Sequence, residues 1–207
     1  MQNALRLVLL LCLASAGSAR AEVHCTEPVA SGWRECRAAI AQPLTRRMLQ
    51  TQERSRWCWA AAVSMVFARY GHALPQEQIV AQTHGELANR GMPTHQLLAA
   101  LQRDWSSNGE LLRASIRHQV ADPGATLPAS ATLLISSLAR EHPLILSSNG
   151  HAVVVVGIAY EERGPWLRIK GATVIDPSPG VGLRPLAGDE LDVALLASVE
   201  VMPVAWR

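Results

Sequence analysis

The 207-residue sequence contains no Cys-x-x-Cys pair and no closely spaced pair of histidines, which are the usual ligand patterns of protein zinc sites. It also has little excess charge, with 19 basic and 17 acidic residues. A balanced chain offers no electrostatic footprint for nucleic acid or an anionic membrane. After residue 21, no apolar run approaches the roughly 20 residues of a membrane-spanning helix. We therefore expect no metal, no cofactor and no nucleic-acid partner.

The first 21 residues have the features of a secretory signal peptide. Arg6 precedes an apolar stretch that runs to Ala14, and small residues surround a cleavage point after Ala21. A lipoprotein anchor at Cys12 is the competing interpretation, but its early position and the bulky residue before it argue against lipidation. We expect cleavage after Ala21 and a periplasmic or secreted monomer that makes no membrane contact once the signal peptide is removed.

Export would leave three cysteines, Cys25, Cys36 and Cys58. An oxidising compartment favours a disulfide between Cys25 and Cys36, which closes a short loop and contributes ~2–3 kcal/mol by the loop-entropy argument. Cys58 is then an unpaired thiol, and in an exported protein such a thiol is either reactive or an intermolecular partner. Considered alone, a helical cysteine is a small apolar core residue about as often as it is a reactive thiol.

Helix patterns come first in the chain and strand patterns later. Residues 22–51 show no sustained period and predict an irregular arm that precedes a single domain at 52–207. The predicted helices are 58–70, 76–82, 94–104 and 131–140; the predicted strands are 144–146, 151–160, 166–170, 173–176 and 193–204; the predicted loop is 121–130. Helices followed by strands indicate an α+β fold, with the two halves packed face to face.

Four polar groups in this pattern point to nucleophilic catalysis. Cys58 begins an apolar helix, where unpaired amides and the positive end of the helix dipole favour a thiolate. His151 begins a predicted strand and Asp176 ends another, which suits a base and the group that orients it. Gln52 supplies an upstream amide for an oxyanion. Considered individually, His151 is more simply explained as a satisfied polar residue and Asp176 as a turn residue. The prediction of a catalytic site therefore rests on the order and spacing of these residues along the chain.

These residues resemble the papain-like cysteine peptidases, especially short bacterial secreted members. The resemblance implies a two-lobed fold in which a central helix starts at the nucleophile. It also implies that Cys58 is the nucleophile, His151 the general base and then acid, Asp176 the residue that orients His151, and Gln52 an oxyanion donor. The substrate would be a protein or peptide. The matching runs are Gln52, Cys58-Trp59-Ala60, Gly150-His151-Ala152-Val153 and Asp176.

The sequence departs from that family's usual pattern in three ways. Arg56-Trp57 stand where Gly-Ser is often found, which predicts a bulkier cleft wall. Asp176 replaces the asparagine of plant-type members, and a carboxylate should hold an imidazolium more strongly than an amide. Only 36 residues separate the predicted cleavage point from Cys58, too few for a long inhibitory prosegment. We therefore predict that any latency comes from the arm, with a processing cut near Arg46-Arg47.

Other functions fit the same groups. Acyl transfer to amines uses the same thiol chemistry, and so does amide hydrolysis of cell-wall peptides. Enzymes of the second kind usually carry a histidine at the position of Asp176. A non-enzymatic alternative is a papain-shaped binding module that has lost activity, because a fold alone does not specify a function.

Overall fold

The computed structural model describes residues 22–121 and 126–204. The predicted signal peptide and part of the predicted loop at 121–130 lie outside these ranges. The helices of the described chain are α1 Gln42–Met48, α2 Cys58–Arg69, α3 Gln76–His84, α4 Thr94–Ala100 and α5 Ala131–Leu138. The strands are β1 Glu22–Cys25, β2 Arg34–Ala39, β3 Asp104–Ser107, β4 Glu110–Val120, β5 Leu144–Ser148, β6 His151–Arg163, β7 Trp166–Asp176, β8 Gly182–Pro185 and β9 Leu195–Pro203.

One antiparallel sheet connects all of these strands. Its main order is β1-β2-β6-β5-β9-β4-β3, and β7 pairs with β6 and with β8. β6 is the central element, because β5 and then β2 pair along one of its edges while β7 pairs along the other. Its run of four valines is buried, as expected for a strand covered on both faces. The mixed helix-and-strand class is therefore as predicted, and His151 begins the strand around which the sheet is arranged.

The helix that starts at Cys58 is buried along most of its length, as its apolar sequence predicts. Every residue from Trp59 to Phe67 is buried, and α2 packs against β6, α1 and α3. The helix ends before Gly71, whose φ of 85° lies in the left-handed region that favours glycine. The core of the described chain is one cluster that the helices and the sheet share.

The prediction of an irregular arm over residues 22–51 is wrong. β1 and β2 form a hairpin whose second strand pairs with β6, and α1 packs against α2. The buried positions of β2 are Cys36 and Ala38, whose small side chains give little hydrophobic contrast in a sequence. Cys25 pairs directly with Cys36, and the predicted disulfide joins them. Arg46-Arg47, near which a processing cut was predicted, lie within α1 and not in an irregular arm.

The simple order of helices followed by strands is also wrong. α4 ends at Ala100 rather than at Asp104, and two unpredicted strands, β3 and β4, follow it. Their turn is Asn108-Gly109, with φ of 50° and 79°, which is the usual sequence of a two-residue hairpin turn. The exposed face of β4 is polar, so hydrophobic runs do not reveal it. β7 joins two predicted strands through a register shift, and β8 was not predicted.

In the ranges 22–121 and 126–204, no helix combines the length and apolar character needed to cross a bilayer.

Candidate active site

The structure brings three of the predicted site residues together. Cys58 and His151 line the same cavity, close enough for the imidazole to lower the pKa of the thiol, and His151 Nε2 lies 2.9 Å from Asp176 Oδ1. Because Nε2 faces the carboxylate, Nδ1 is the ring nitrogen left for the sulfur. The cavity has a volume of about 180 Å³, and its other walls include Met92 and Leu97. A single small group of a substrate bound in this cavity would therefore contact both the sulfur and the imidazole.

Each of these side chains sits at the end of a regular element. Cys58 is the first residue of α2, and it is partly exposed although the residues after it are buried. Asp176 is the last residue of β7, which pairs with β6 near its start, at Val154 opposite Ile175. The backbone of both strands is fixed by the sheet, so the relative position of His151 and Asp176 is set by strand pairing.

A two-residue turn places His151 at the start of β6. Asn149 and Gly150 have φ of 50° and 76°, and they connect Ser148 to His151 as a tight hairpin. A Cβ at Gly150 would meet nothing within 4 Å, so close backbone approach is not the reason for this glycine. The left-handed backbone conformation is the reason.

The thiol and the imidazole favour the charged pair. Burial, the largest influence on Cys58, raises its pKa, but hydrogen bonds with His151 and the backbone of Ala152, together with the charge of His151, lower the pKa below its ordinary value. The influence of Cys58 and then that of Asp176 outweigh burial, and together they raise the pKa of His151 to about 9. The imidazolium is therefore the favoured form of His151 at neutral pH, and it shifts Cys58 toward the thiolate relative to an ordinary cysteine.

The carboxylate of Asp176 is buried and fully engaged. Burial raises its pKa, but hydrogen bonds from Ser178, Arg184 and His151 together hold the pKa well below its usual range. Oδ1 accepts from the Ser178 backbone N–H at 2.8 Å, and Oδ2 accepts from Arg184 Nε and Nη2 at 2.9 and 2.7 Å. Arg184 also pairs with Glu190 through Nη1 at 2.6 Å and Nη2 at 2.7 Å.

The sequence interpretation missed Arg184 and Glu190. The sequence feature that points to Arg184 is the turn Pro177-Ser178-Pro179-Gly180 directly after Asp176. A tight turn there brings the following strand back alongside β7, with Asp176 opposite Gly182. Residues two apart in a strand share a face, so Arg184 becomes a diagonal neighbour of Asp176.

Gln52 lies beside this group, but its amide is not directed at Cys58. Its backbone N–H donates to the Pro177 carbonyl at 2.7 Å, which places it next to the turn that follows Asp176. Its side-chain Nε2 donates to the Arg54 carbonyl at 3.0 Å, and the residues that line the cavity around Cys58 do not include Gln52.

A buried glutamine, also missed in the sequence, fixes the segment around Gln52. Gln76 Nε2 donates to the Thr51 carbonyl at 2.8 Å, and Gln76 Oε1 accepts from the Glu53 N–H at 3.0 Å. The two backbone groups that flank Gln52 are thus held by one side chain that is 2% exposed. Gln52 itself is left to extend from a rigid backbone.

The expectation of a bulkier cleft wall at Arg56-Trp57 is not met. Trp57 is buried in the core, Arg56 is exposed, and neither lines the cavity around Cys58. Instead, Trp57 Nε1 donates to the Ala88 carbonyl at 3.0 Å, and Trp59 Nε1 donates to the Arg90 carbonyl at 3.1 Å. The two tryptophans therefore attach the loop after α3 to the segment that carries the thiol.

Potential metal ligands cluster elsewhere. In the described part of the chain, the candidate group is Cys25, Cys36 and Glu162, and its two sulfur atoms are bonded to each other. A disulfide offers no thiolate, so this group does not fit a metal ion.

Alkylation of Cys58 tests the charged pair. We expect the reaction with iodoacetamide to retain its rate at a pH where free N-acetylcysteine has already slowed, because the Cys58 pKa is lowered. In His151→Ala the hydrogen bond and charge of the ring are lost while burial remains, so the midpoint should move to higher pH. Cys58 is the free cysteine of the described chain, so the signal reports one thiol. An unchanged midpoint in His151→Ala would contradict the pair.

Comparison with known proteins places the chain in a family. Residues 41–185, more than two thirds of the chain, match the family described as papain-like cysteine protease AvrRpt2. No curated protein sequence matches the chain.

Solved structures that are similar to it include the following two. The peptidase domain of Streptococcus ComA, a bi-functional ABC transporter involved in a quorum-sensing pathway, is 14% identical, with a TM-score of 0.46 over 75% of this chain and 98% of that one. UfSP from C. elegans is 11% identical, with a TM-score of 0.50 over 92% of this chain and 36% of that one, a likeness of fold alone. Because the family match spans residues 41–185, well over half of the chain, this protein belongs to the family of the papain-like cysteine protease AvrRpt2.

Proposed function

We propose that this protein is a cysteine peptidase that hydrolyses peptide bonds with Cys58 as nucleophile, His151 as acid and base, and Asp176 as the orienting group. The observation that carries the proposal is the placement of Cys58 and His151 on one cavity, with Asp176 Oδ1 2.9 Å from the far nitrogen of the imidazole. A thiol, a base and an orienting acid in that order are the parts that nucleophilic catalysis requires. Family membership supports a peptidase-type function independently.

The chemistry follows from the charged resting pair. The Cys58 thiolate attacks the substrate carbonyl carbon, so an S–C bond forms and the carbonyl π electrons move to oxygen. The backbone N–H of Cys58 and the side chain of Gln52 stabilise that oxyanion. The oxyanion then collapses, the C–N bond breaks, and His151 gives its proton to the leaving nitrogen.

Hydrolysis of the acyl-enzyme completes the cycle. His151, now neutral, takes a proton from water while the water oxygen attacks the thioester carbon. The S–C bond breaks, the carboxylic acid leaves, and the thiolate and imidazolium are restored. Asp176 keeps the ring in place throughout, since its Oδ1 fixes Nε2.

Gln52 can serve as the oxyanion donor after a rotation of its side chain, because its backbone already lies next to the turn that follows Asp176. One N–H of its amide is used by the Arg54 carbonyl, which leaves the second N–H for a substrate. Its backbone is held by Pro177 on one side and Gln76 on the other, so only the side chain needs to turn toward the sulfur. In other enzymes the loss of one such donor lowers the rate by about 10²–10³.

The requirement for an acid at position 176 follows from Arg184. Both carboxylate oxygens accept hydrogen bonds, Oδ1 from His151 and Ser178 and Oδ2 from the guanidinium. An asparagine has one acceptor oxygen, and its NH₂ group would face the N–H groups of Arg184. Arg184 therefore makes the carboxylate necessary here, and we assign it as a positioning residue that acts through Asp176.

The proposed substrate cleft lies between the two parts of the chain that the papain-like architecture treats as lobes. α2 provides the nucleophile from the helical part, and β6 with β7 provides His151 and Asp176 from the sheet. We also propose that the protein works in the periplasm or outside the cell on proteins or peptides. The Cys25–Cys36 disulfide supports that location, because such bonds persist in oxidising compartments.

A peptide-digestion assay tests the proposed hydrolysis. Purified protein without residues 1–21 is incubated with a peptide pool, and products are identified by mass spectrometry. We expect new carboxyl termini from the wild type, none from Cys58→Ala, and a rate lower by about 10²–10³ from Gln52→Ala. Circular dichroism of each variant checks that it is folded.

The products also separate the proposal from its competitors. Peptide termini joined to added amines would indicate acyl transfer, and cleavage confined to cell-wall peptides would indicate an amidase. Turnover by Cys58→Ala, or failure of the wild type to cleave any peptide, would contradict the proposal.

The role of Arg184 is tested by Arg184→Gln. We expect kcat to fall roughly tenfold to a hundredfold, as for the loss of a charged hydrogen bond, with little change in KM. The loss should deepen at lower pH, because the guanidinium no longer holds down the pKa of Asp176 and its carboxyl accepts a proton at a higher pH. Arg184→Lys, which keeps the charge, should restore part of the profile. A loss that is uniform across pH would indicate a purely structural role.

A further inference from the structure

A second and larger cavity adjoins the one around Cys58. Its volume is about 650 Å³, compared with about 180 Å³ around the thiol. Pro93 lines both cavities, so the segment that leads into α4 separates them. The smaller cavity has room for little more than the reacting group, whereas the larger one has the volume of a typical ligand pocket. Of these two cavities, the one on the far side of Pro93 from the thiol therefore offers more space for a substrate.

The larger cavity is positively charged. Arg90 and Arg103 line it together with His84, and no carboxylate is among the residues that line it. Burial lowers the pKa of His84, repulsion by Arg90 lowers it further, and Glu86 acts in the opposite sense. The ring is therefore neutral at neutral pH, and the charge comes from the two guanidinium groups.

The two arginines are available to a ligand. Arg103 bonds the carbonyls of Asp104 and Gln82 at 3.3 and 3.1 Å and stacks over Trp105 at 4.6 Å, contacts that leave its charge uncompensated. Arg90 is exposed. In the described ranges, neither guanidinium pairs with a carboxylate. An anion in this cavity would therefore replace water and would not have to displace an internal acid.

The position of Arg90 is fixed from the catalytic side. Its backbone carbonyl accepts from Trp59 Nε1 at 3.1 Å, and Trp59 follows the nucleophile in the chain. The preceding residue, Asn89, accepts from the Arg56 N–H at 3.1 Å through its Oδ1. The segment that carries the charge is thus attached to the residues on both sides of Cys58. Such pre-organisation reduces the entropy lost when a ligand is bound.

We propose that this cavity is a subsite that binds a carboxylate of a peptide whose scissile bond lies at Cys58. The inference rests on the proposed peptidase function and names a substrate class for it, peptides with an acidic residue near the cleaved bond. An extended peptide advances about 3.3–3.6 Å per residue, so a side chain a few residues away crosses Pro93. A planar guanidinium pairs with a carboxylate through two parallel hydrogen bonds. A lysine ammonium in place of the arginine, or a neutral amide in place of the carboxylate, cannot form this pair.

Peptide retention tests the subsite without turnover. Immobilised Cys58→Ala protein is incubated with a pool of acetylated and amidated octapeptides, and the retained peptides are sequenced. We expect enrichment of Asp and Glu over Asn and Gln at one position. Arg90→Glu in the same background should abolish that enrichment and favour Lys and Arg instead. Arg140→Glu is the matched control, because Arg140 is exposed and lines neither cavity, and it should retain the acidic preference.

A parallel pool with free C-termini distinguishes the source of the carboxylate. If only this pool is retained, and only when Arg90 is present, the subsite takes the end of the peptide; retention of the amidated pool assigns it to an acidic side chain. Equal retention of Glu and Gln peptides from both pools, or an acidic preference that survives Arg90→Glu, would overturn the subsite.

Turnover gives an independent measure. With a cleaved peptide that carries Glu at the preferred position, we expect kcat/KM to exceed that of its Gln counterpart by about tenfold or more. Arg90→Ala should remove this difference by lowering kcat/KM for the Glu peptide. A wild type that cleaves both equally would contradict the subsite alone. A wild type that cleaves neither would contradict the peptidase function, and the retention result would still decide whether the cavity binds carboxylates.

Discussion

The imidazole of His151 is the group on which the rest of the site depends. One nitrogen faces a thiol and the other faces a carboxylate 2.9 Å away, and each neighbour favours the protonated ring. The ring in turn favours the thiolate at Cys58, against the burial that would otherwise keep the sulfur protonated. Neither charge is stable alone in this half-buried position, so the pair forms as a unit. The helix start, the hairpin turn and the strand pairing around it serve to keep these groups in contact.

The carboxylate that completes the series is itself held by charge. Asp176 is 6% exposed, and a buried carboxylate is tolerated only when its oxygens are satisfied. Ser178, Arg184 and His151 satisfy them, and Glu190 balances the charge of Arg184. With His151 protonated, the two acids and two bases around this point have no net formal charge. A series of alternating charges therefore extends from the thiolate to Glu190, and each member stabilises its neighbour.

The sequence predicted the parts of the structure whose residues differ sharply from their surroundings. The buried helix from Cys58 and the Val-rich strand from His151 were visible because apolar residues follow one another without interruption. β2 was not visible, because its buried residues are Cys36 and Ala38, and β4 was not, because one of its faces is polar.

In the site, the reacting groups were predicted from their chemistry and order, whereas their supports were not. Gln76 acts on a segment far away in the chain, and no local pattern distinguishes it from a surface residue. Arg184 and Glu190 follow a turn that the sequence shows, but the turn alone does not reveal which side chains meet across it. The same limit applies to the tryptophans beside Cys58. Their sequence indicated core anchors, and only the fold relates them to the loop that carries Arg90.

The most direct test of the account is the titration of His151 in the resting protein, followed by NMR of ¹⁵N-labelled histidine side chains and assigned by comparison with His151→Gln. The account predicts a ring that stays protonated at neutral pH and loses its proton at a pH of about 9, together with a clear fall of that pKa in Cys58→Ala, because the hydrogen bond to the sulfur is the largest influence. A His151 ring that is neutral at pH 7 in the wild type, or that titrates identically in Cys58→Ala, would contradict it.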